Sequence, residues 1–257
     1  MNEVKKMTKI YGHRGSKGEY PENTLLGFQK AIDMGVEGLE IDVHLTKDGE
    51  LVVIHDETLH RTTDGEGRVK DHTLAEMKQL SVGNQFKHLE KYEASWDKEK
   101  VPTLQEVLRL LDGTDVELNI ELKTTIYTYP GIEEKLLQVV ETYASKRKIV
   151  YSSFHFPTLM RIKRLDENAE IAWLLQQPIP QILDYISTFQ LEALHLDKNL
   201  VLDMQSEFPP SLAAITRVWT VNLKEEMERL FQLGVEAIIT DYPERAIEVK
   251  RSIAKVN

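Results

Sequence analysis

The sequence predicts an α/β protein in which about eight β/α units close into a (β/α)8 barrel, and two observations support this prediction. Short apolar runs typical of strands alternate along the chain with segments whose apolar residues recur at helical spacing. Such alternation favours a parallel sheet covered by helices. The length of 257 residues also matches one barrel domain, which often uses about 250 residues.

The predicted strands recur along the whole chain, with amphipathic helices between most of them. In the first predicted helix, residues 24–34, four apolar side chains share one face: Leu25, Phe28, Ala31 and Ile32. Helix starts are indicated by Thr103, by Asn222 and by Pro243. The predicted strands cover residues 9–12, 38–44, 51–55, 116–122, 148–152, 170–174, 193–196, 215–220 and 237–240. The other predicted helices cover 104–111, 132–144, 157–165, 179–189, 225–233 and 243–253.

Residues 56–100 interrupt this regular pattern. The segment is polar and charge-rich, contains a turn cluster at 62–67, and has a helical pattern only near 74–80. It is longer than an ordinary loop of a βα unit, and long loops in compact domains are usually functional or disordered. We interpret residues 1–257 as a single domain with a small insertion after the second βα unit, over the mouth of the barrel. A solvated surface excursion explains the composition equally well.

An open, doubly wound sheet is the alternative architecture. Such a sheet normally carries a glycine-rich phosphate loop after its first strand. The corresponding segment here, residues 12–18, reads Gly-His-Arg-Gly-Ser-Lys-Gly and lacks that pattern. The barrel is therefore favoured.

The overall composition excludes several classes of protein. With 32 basic and 42 acidic residues the formal net charge is −10, which disfavours a non-specific nucleic-acid binder. The absence of cysteine excludes disulfides and thiolate metal sites. The sequence contains no run of about 18 apolar residues, so no membrane span is expected. Residues 1–9 lack the apolar region of a secretory signal, so we expect a cytoplasmic protein. The sequence does not determine the oligomeric state.

Two acidic residues share one face of the second predicted strand. Side chains alternate between the faces of a strand, so Glu40 and Asp42 point the same way, while Leu39, Ile41 and Val43 point toward the helices. Adjacent carboxylates inside a barrel are costly unless a positive charge lies between them. A divalent cation with oxygen ligands, Mg²⁺, Ca²⁺ or Mn²⁺, satisfies this need. The alternative is a solvent-facing acidic pair at a strand edge.

The strand at residues 116–122 shows a similar pattern. Asn119, Glu121 and Lys123 alternate with three leucine and isoleucine side chains. Glu121 is a candidate third metal ligand, and Lys123 is a candidate partner for the negative charge of a phosphate. A structural Glu–Lys pair inside the barrel is the alternative, which the matching pattern at Glu40 and Asp42 makes weaker.

Two histidines follow apolar runs at the predicted carboxyl ends of strands. His13 follows the first strand and His55 ends the third, and barrel enzymes place their active sites at this face. Histidine takes and gives protons near neutral pH. Together with the carboxylates, the pair favours acid–base chemistry. The other six histidines lie mostly in predicted loops or next to exposed positions, and we interpret them as having no catalytic role; they are His44, His60, His72, His88, His155 and His195. This interpretation is least certain for His44, because it shares a face with Asp42.

Other catalytic arrangements find no support in the sequence. There is no Gly-x-Ser-x-Gly elbow of a serine hydrolase and no His-Glu-x-x-His of a zinc peptidase.

The motifs around these residues resemble those of the glycerophosphodiester phosphodiesterase family. The first block is Gly12-His13-Arg14-Gly15 followed by Pro21-Glu22-Asn23-Thr24. The second is Glu40-Ile41-Asp42-Val43, Thr46-Lys47-Asp48-Gly49 and Val53-Ile54-His55-Asp56. Later blocks are Arg61-Thr62-Thr63-Asp64-Gly65, Val101-Pro102-Thr103-Leu104, Asn119-Ile120-Glu121-Leu122-Lys123, Ser152-Ser153-Phe154, Val218-Trp219-Thr220-Val221-Asn222 and Ile238-Ile239-Thr240-Asp241-Tyr242-Pro243. Each block is weakly specific, whereas their common order over nearly the whole chain is highly specific.

The resemblance implies a barrel with a small insertion that corresponds to residues 56–100. It implies hydrolysis of a glycerophosphodiester to sn-glycerol 3-phosphate and an alcohol, with His13 and His55 as the catalytic pair. It also implies that Glu40, Asp42 and Glu121 hold one divalent cation, Ca²⁺ or Mg²⁺, with Mn²⁺ as a further candidate. The remaining implied residues are Arg14 and Lys123 on the phosphate, and Glu22, Asn23 and Trp219 lining or supporting the site.

Two further functions remain as alternatives. A lipid-directed phosphodiesterase would need an apolar rim, for which the charged insertion offers only Phe86, Leu89, Tyr92 and Trp96. A non-catalytic barrel that binds a phosphate ligand would not require the pair His13 and His55. Of these functions, the resemblance favours a small glycerophosphodiester as the molecule that the protein binds. Neither a nucleic-acid partner nor a membrane span is expected.

Overall fold

Eight parallel strands form a closed barrel in the computed structural model, which describes residues 7–204 and 207–256. Residues 1–6, part of the amino-terminal segment considered above, lie outside the described residues. The strands in the described ranges are β1 (Lys9–His13), β2 (Gly38–Leu45), β3 (Leu51–Val53), β4 (Glu117–Leu122), β5 (Ile149–Ser153), β6 (Glu170–Leu175), β7 (Ala193–Asp197), β8 (Thr216–Trp219) and β9 (Ala237–Thr240). Pairing of β1 with both β2 and β9 closes the barrel, so the predicted fold class is confirmed.

Helices connect successive barrel strands. Those within the described ranges are α1 (Leu25–Met34), α2 (Leu74–Met77), α3 (Leu104–Leu110), α4 (Ile132–Ala144), α5 (Phe156–Leu165), α6 (Ile182–Phe189), α7 (Lys198–Leu202), α8 (Pro210–Ala213), α9 (Lys224–Leu233) and α10 (Pro243–Val256). The short helices α7 and α8 were not predicted, because one or two turns are too few to show a helical period. Among the described residues, no helix combines the length and the apolarity needed to cross a membrane.

The main core lies between the outer face of the barrel and the helices. Leu39, Ile41 and Val43 of β2 are fully buried there. Their counterparts on β4 are the equally buried Leu118, Ile120 and Leu122. Burying one such side chain contributes about 1.5–3 kcal/mol, which holds the alternation in register and turns the intervening polar side chains into the barrel.

The predicted strand at 51–55 is confirmed as β3 (Leu51–Val53), but the parallel direction implied by placing His55 at a carboxyl strand end of the barrel is wrong. It pairs antiparallel with β2, with Val53 opposite Val43 and Leu51 opposite Leu45. The hairpin turn contains Gly49 at φ 78°. An apolar run of this length reads the same in parallel and antiparallel strands. His55 reaches the barrel mouth because β2 is long and β3 folds back along it.

The insertion lies within the second βα unit, between strand β3 and helix α3. It contains α2 and three short 3-10 helices, Val69–Asp71, Gly83–Phe86 and Ala94–Lys98. It has its own hydrophobic cluster, separate from the main core, which includes Leu59, Met77 and Trp96. Phe86 and Trp96 are buried in this cluster, and Leu89 and Tyr92 pack against it. These four apolar side chains therefore stabilise the insertion internally.

The predicted helix starts have different outcomes. Thr103 caps α3 by accepting a hydrogen bond from the Glu106 amide, with the reciprocal bond of a capping box. Pro243 begins α10 as predicted. The prediction for Asn222 is wrong, because α9 begins at Lys224 with Leu223 at the cap. The side chain of Asn222 binds elsewhere, as described below.

Candidate active site

The strand register brings three carboxylates together inside the barrel. Glu121 on β4 lies directly beside Asp42 on β2, and His13 on β1 lies beside Glu40 on β2. One carboxylate oxygen from each of Glu40, Asp42 and Glu121 lies within 4.8 Å of the others, and all three residues are buried. Parallel neighbours in register place equivalent side chains at one level of the barrel, which explains why the cluster forms.

The electrostatics of this acidic cluster fit a divalent cation. Burial, together with the neighbouring Asp42 and Glu121, raises the pKa of Glu40 well above its usual range. Burial opposes ionisation of Asp42 as well, but Arg14 and Lys123 outweigh it and hold the pKa of Asp42 below its usual range. The Oδ1 atom of Asp42 is buried without a hydrogen-bond partner. Acceptor oxygens in this arrangement form a suitable ligand set for a hard cation such as Mg²⁺, Ca²⁺ or Mn²⁺.

A tight turn after β1 directs Arg14 into this cluster. Arg14 has φ 51° and the following Gly15 has φ 92°. A β-carbon on Gly15 would lie 2.7 Å from the backbone of Gly27, and one on Gly12 would lie 2.3 Å from the Gly15 carbonyl oxygen. Glycine is therefore required on both sides of the His13–Arg14 pair, which accounts physically for the Gly-His-Arg-Gly motif.

Arg14 contacts three carboxylates. Its backbone amide donates to Glu40 Oε2 at 3.2 Å, and its Nε lies 3.2 Å from Asp42 Oδ2. Its Nη1 donates to Glu22 Oε1 at 2.8 Å. Asn23 also reaches the cluster, since its Nδ2 donates to Asp42 Oδ2 at 3.0 Å. Glu22 and Asn23 thus hold Arg14 and Asp42 from behind and do not line the main cavity described below.

His13 is held by a carboxylate on the opposite side of the barrel closure. Its Nδ1 lies 2.6 Å from Asp241 Oδ1, and its Nε2 lies 3.9 Å from Glu40 Oε2. Burial lowers the pKa of His13, although the bond to Asp241 partly offsets this. The Nδ2 atom of Asn222 donates to the second Asp241 oxygen at 2.8 Å, and its Oδ1 accepts from the Asp241 amide. Asp241 therefore orients the imidazole so that Nε2 points toward the acidic cluster.

His55 has an equivalent arrangement. Its Nδ1 lies 2.7 Å from Asp56 Oδ1, and its Nε2 lies 3.1 Å from the ammonium of Lys123. His44 fixes the backbone here, because its Nε2 contacts the His55 carbonyl oxygen at 3.0 Å. Burial lowers the pKa of His44 to about 4. His44 is therefore a neutral structural residue at neutral pH.

Lys123 lies between the carboxylates and His55. Its Nζ is 2.8 Å from Glu121 Oε1 and 3.6 Å from Asp42 Oδ1. Burial disfavours its charged form, but Glu121 and Asp42 outweigh this and raise the pKa of Lys123 above its usual range. Lys123 is an ammonium in this setting, so it donates to the lone pair of His55 Nε2.

A cavity of about 130 Å³ opens beside these groups. Its wall includes an edge-to-face aromatic pair, Phe154 and Trp219, with ring centroids 5.6 Å apart. The Nε1 atom of Trp219 is buried without a hydrogen-bond partner. The predicted site residues that line this cavity are His13, Arg14, Glu40, His55, Glu121, Lys123 and Trp219. Asp42 is buried behind them.

Sequence reasoning assigned no role to several residues that hold the site together. Asp241, Asp56 and Arg61 belong to motifs shared with the family, and the sequence pattern predicts only a helix start at Asn222. His195 on β7 lines the cavity, although its sequence context predicts no catalytic role. Carboxylates directly after a histidine or after a barrel strand were the available signal for Asp56 and Asp241.

Comparison with known proteins gives consistent results. Residues 13–245 match the model of the glycerophosphoryl diester phosphodiesterase family. A glycerophosphodiester phosphodiesterase of Caldanaerobacter subterraneus subsp. tengcongensis is 40% identical over 95% of this chain and 98% of the relative. One from Bacillus altitudinis is 38% identical over 96% of this chain and 100% of the relative.

A solved structure agrees with the sequence relatives. It is an Oleispira antarctica phosphodiesterase in complex with the product sn-glycerol-3-phosphate. The two chains are 27% identical and superpose with a TM-score of 0.80, over 95% of this chain and 96% of the other. The chain belongs to the glycerophosphoryl diester phosphodiesterase family and is a phosphoric diester hydrolase.

Proposed function

We propose that the chain hydrolyses glycerophosphodiesters to sn-glycerol 3-phosphate and an alcohol, with His13 and His55 as an acid–base pair. The observation that carries this proposal is the symmetric support of the two imidazoles. Each Nδ1 is held by a carboxylate, Asp241 or Asp56, while each Nε2 lies beside a group that lines the cavity. Imidazoles oriented in this way are suited to move protons at Nε2.

Glu40, Asp42 and Glu121 are proposed to hold one divalent cation. Such a cation supplies Lewis-acid polarisation of a phosphoryl oxygen and helps to orient the diester. Arg14 and Lys123 belong to the same cluster and carry the side-chain positive charges that face these carboxylates. Their charges stabilise the negative charge that accumulates on the phosphoryl oxygens as the ester bond breaks.

Each histidine then handles one proton. One Nε2 takes the proton of the attacking hydroxyl. The other gives a proton to the oxygen of the leaving alcohol as the phosphorus–oxygen bond breaks. If water attacks, one displacement gives glycerol 3-phosphate directly; if the glycerol 2-hydroxyl attacks, a cyclic phosphate forms first, and water then opens it with the roles of the two histidines exchanged. Asp241 and Asp56 keep both rings in place and stabilise the charge that an imidazole gains when it is protonated.

Two further observations support this assignment. The product held by the Oleispira antarctica phosphodiesterase is sn-glycerol-3-phosphate, the product proposed here. The apolar side chains considered for a lipid-binding rim are packed within the insertion, which favours a water-soluble diester over an intact lysophospholipid.

An assay of glycerol 3-phosphate release tests the proposal. A panel of soluble glycerophosphodiesters and of lysophospholipids is incubated with the enzyme, with and without exhaustive EDTA treatment. We expect release of glycerol 3-phosphate from the soluble diesters, loss of turnover with EDTA, and recovery with an added divalent ion. Full activity after EDTA would contradict the metal site. Binding of glycerol 3-phosphate without any diester turnover would instead favour a non-catalytic phosphate-binding barrel.

A further inference from the structure

Arg61 of the insertion closes a ring of polar contacts around the candidate active site. The ring connects the imidazole of His55 to Asp42 of the acidic cluster. Its members in order are His55, Asp56, Arg61, Glu22, Arg14, Asp42 and Lys123, which returns to His55. Arg61 lies within the insertion, of which Asp56 is the first residue, whereas the other members lie on or next to strands β1–β4 and in the loop after β1.

The guanidinium of Arg61 donates two hydrogen bonds to each of two carboxylates, Asp56 and Glu22. Its Nε donates to Asp56 Oδ2 at 2.6 Å and its Nη2 to Asp56 Oδ1 at 2.9 Å. Its Nη1 donates to Glu22 Oε2 at 2.8 Å and its Nη2 to Glu22 Oε1 at 2.8 Å. A planar fork of this kind fixes the distance and the angle between the two carboxylates.

Both carboxylates hold a group of the proposed catalytic machinery. Asp56 Oδ1 accepts from His55 Nδ1, and Glu22 Oε1 accepts from Arg14 Nη1. Burial opposes ionisation of Glu22, but Arg61 and Arg14 outweigh it and lower the pKa of Glu22. Arg61 therefore keeps Glu22 charged as well as placed. The exposed fraction of the Arg61 side chain is 40%, against 2% for Glu22, so the pair links the surface of the insertion to the buried site.

We propose that Arg61 is a positioning residue, which orients the His55 imidazole through Asp56 and the Arg14 guanidinium through Glu22. The insertion thereby supplies part of the alignment of the active site without itself touching the reacting atoms. This inference rests on the proposed function, because it matters for catalysis only where His55 and Arg14 act on the diester.

The test compares Arg61→Ala and Arg61→Lys with Arg68→Ala. Arg68 is a matched control, since it lies in the same insertion but pairs with Asp71 at the surface. We expect Arg61→Ala to lower kcat/KM by roughly 10–100-fold, the cost typical of removing a residue that orients a functional side chain from the next shell, as measured for metal-binding histidines. Arg61→Lys should remain at least about tenfold impaired, because an ammonium cannot form both forks. Arg68→Ala should match the wild type.

Two readouts separate positioning from a loss of stability. Added guanidinium ion at low concentration should restore part of the Arg61→Ala activity by filling the space between Asp56 and Glu22, whereas a merely unstable variant would lose more activity. Nitrogen-15 NMR of the His55 ring should show a hydrogen-bonded Nδ1 proton in the wild type and in Arg68→Ala. That signal should exchange faster in Arg61→Ala.

The outcomes distinguish this inference from the proposed function. Wild-type activity in Arg61→Lys, or an unchanged His55 signal in Arg61→Ala, would overturn the positioning role. Wild-type protein without diester turnover would refute the proposed function, while the NMR signal would still report on the ring.

Discussion

The ammonium of Lys123 lies 3.1 Å from Nε2 of His55. The two residues come from different parts of the fold, because Lys123 follows β4 and His55 follows the antiparallel β3. Lys123 thereby joins the acidic cluster to one imidazole, and Arg14 lies beside the same cluster. In the proposed reaction, a phosphate in the cavity lies near both positive charges and both candidate proton carriers, all of which line that cavity.

The two imidazoles are expected to be separately essential. His13→Ala and His55→Ala should each lower kcat roughly 10²–10⁴-fold, since each removes one general acid or base. Steady-state assays on purified variants, with circular dichroism to verify folding, measure the effect. His88→Ala is a suitable control because His88 is exposed on the insertion. Near-normal turnover in either folded site variant would refute the acid–base pair.

Replacement of Asp241 tests the orientation of His13. In Asp241→Asn, the donor Nδ2 of Asn222 favours the carbonyl end of the new amide, so the amide NH₂ turns toward His13 Nδ1. His13 must then carry its proton on Nε2, the wrong tautomer for accepting a proton there. We expect kcat to fall by roughly 10²–10⁴-fold, because His13 loses its acid–base role.

The double variant provides the control for this tautomer argument. Without the Asn222 side chain, the new amide is free to present its oxygen to His13. The double variant Asp241→Asn/Asn222→Ala should therefore have more activity than Asp241→Asn alone. Further loss in the double variant would show that Asn222 and Asp241 act independently.

The acidic cluster should make metal-free stability depend on pH and on Glu40. Because burial and the neighbouring carboxylates raise the folded-state pKa of Glu40, the folded state is favoured by protonation. As the pH rises from the pKa of Glu40 in the unfolded chain to its higher pKa in the folded protein, the free energy of unfolding decreases. This loss of stability is complete above the folded-state pKa. In EDTA, Glu40→Gln should melt at a higher temperature than wild type at neutral pH, with a smaller difference in acid.

A divalent ion should reverse this order. At a concentration of 100 times its Kd, a ligand that binds only the folded state stabilises it by about 2.7 kcal/mol. Wild-type protein should gain thermal stability on addition of the ion, and Glu40→Gln should gain less. Calorimetry with and without the ion measures both effects. An equal gain in the two proteins would remove Glu40 from the ligand set.

The insertion should loosen independently of the barrel. Trp96 is buried in the separate cluster of the insertion and packs against Tyr20 and Tyr92. Trp96→Ala should cost about 3–5 kcal/mol of packing in that cluster. Hydrogen exchange should then speed up across the insertion while β4 keeps its protection, and activity should fall because Arg61 loses its support. Leu165→Ala, at a site with 48% exposure, should change neither.

The hairpin of β2 and β3 illustrates where sequence reasoning stopped. The apolar run at 51–55 predicts a strand, which the structure confirms at Leu51–Val53, whereas the parallel direction implied by the repeated β/α units is wrong. A turn containing Gly49 separates it from β2 by only a few residues, which is typical of a hairpin and too short for a parallel crossover. His55 was nevertheless expected at the correct face, because both a parallel strand end and this returning strand reach the barrel mouth.

The sequence by itself determined the barrel and the inward direction of Glu40, Asp42, Glu121 and Lys123. Apolar alternation is a local property, and it assigns each side chain to a face without knowledge of the rest of the chain. The tertiary structure decided which distant groups meet. Closure of the barrel pairs Gly12 with Thr240 and so brings Asp241 to His13, 228 residues away in the chain. Folding of the insertion likewise brings Arg61 between Glu22 and Asp56. Such contacts follow from strand register and packing over long separations, which no local period encodes.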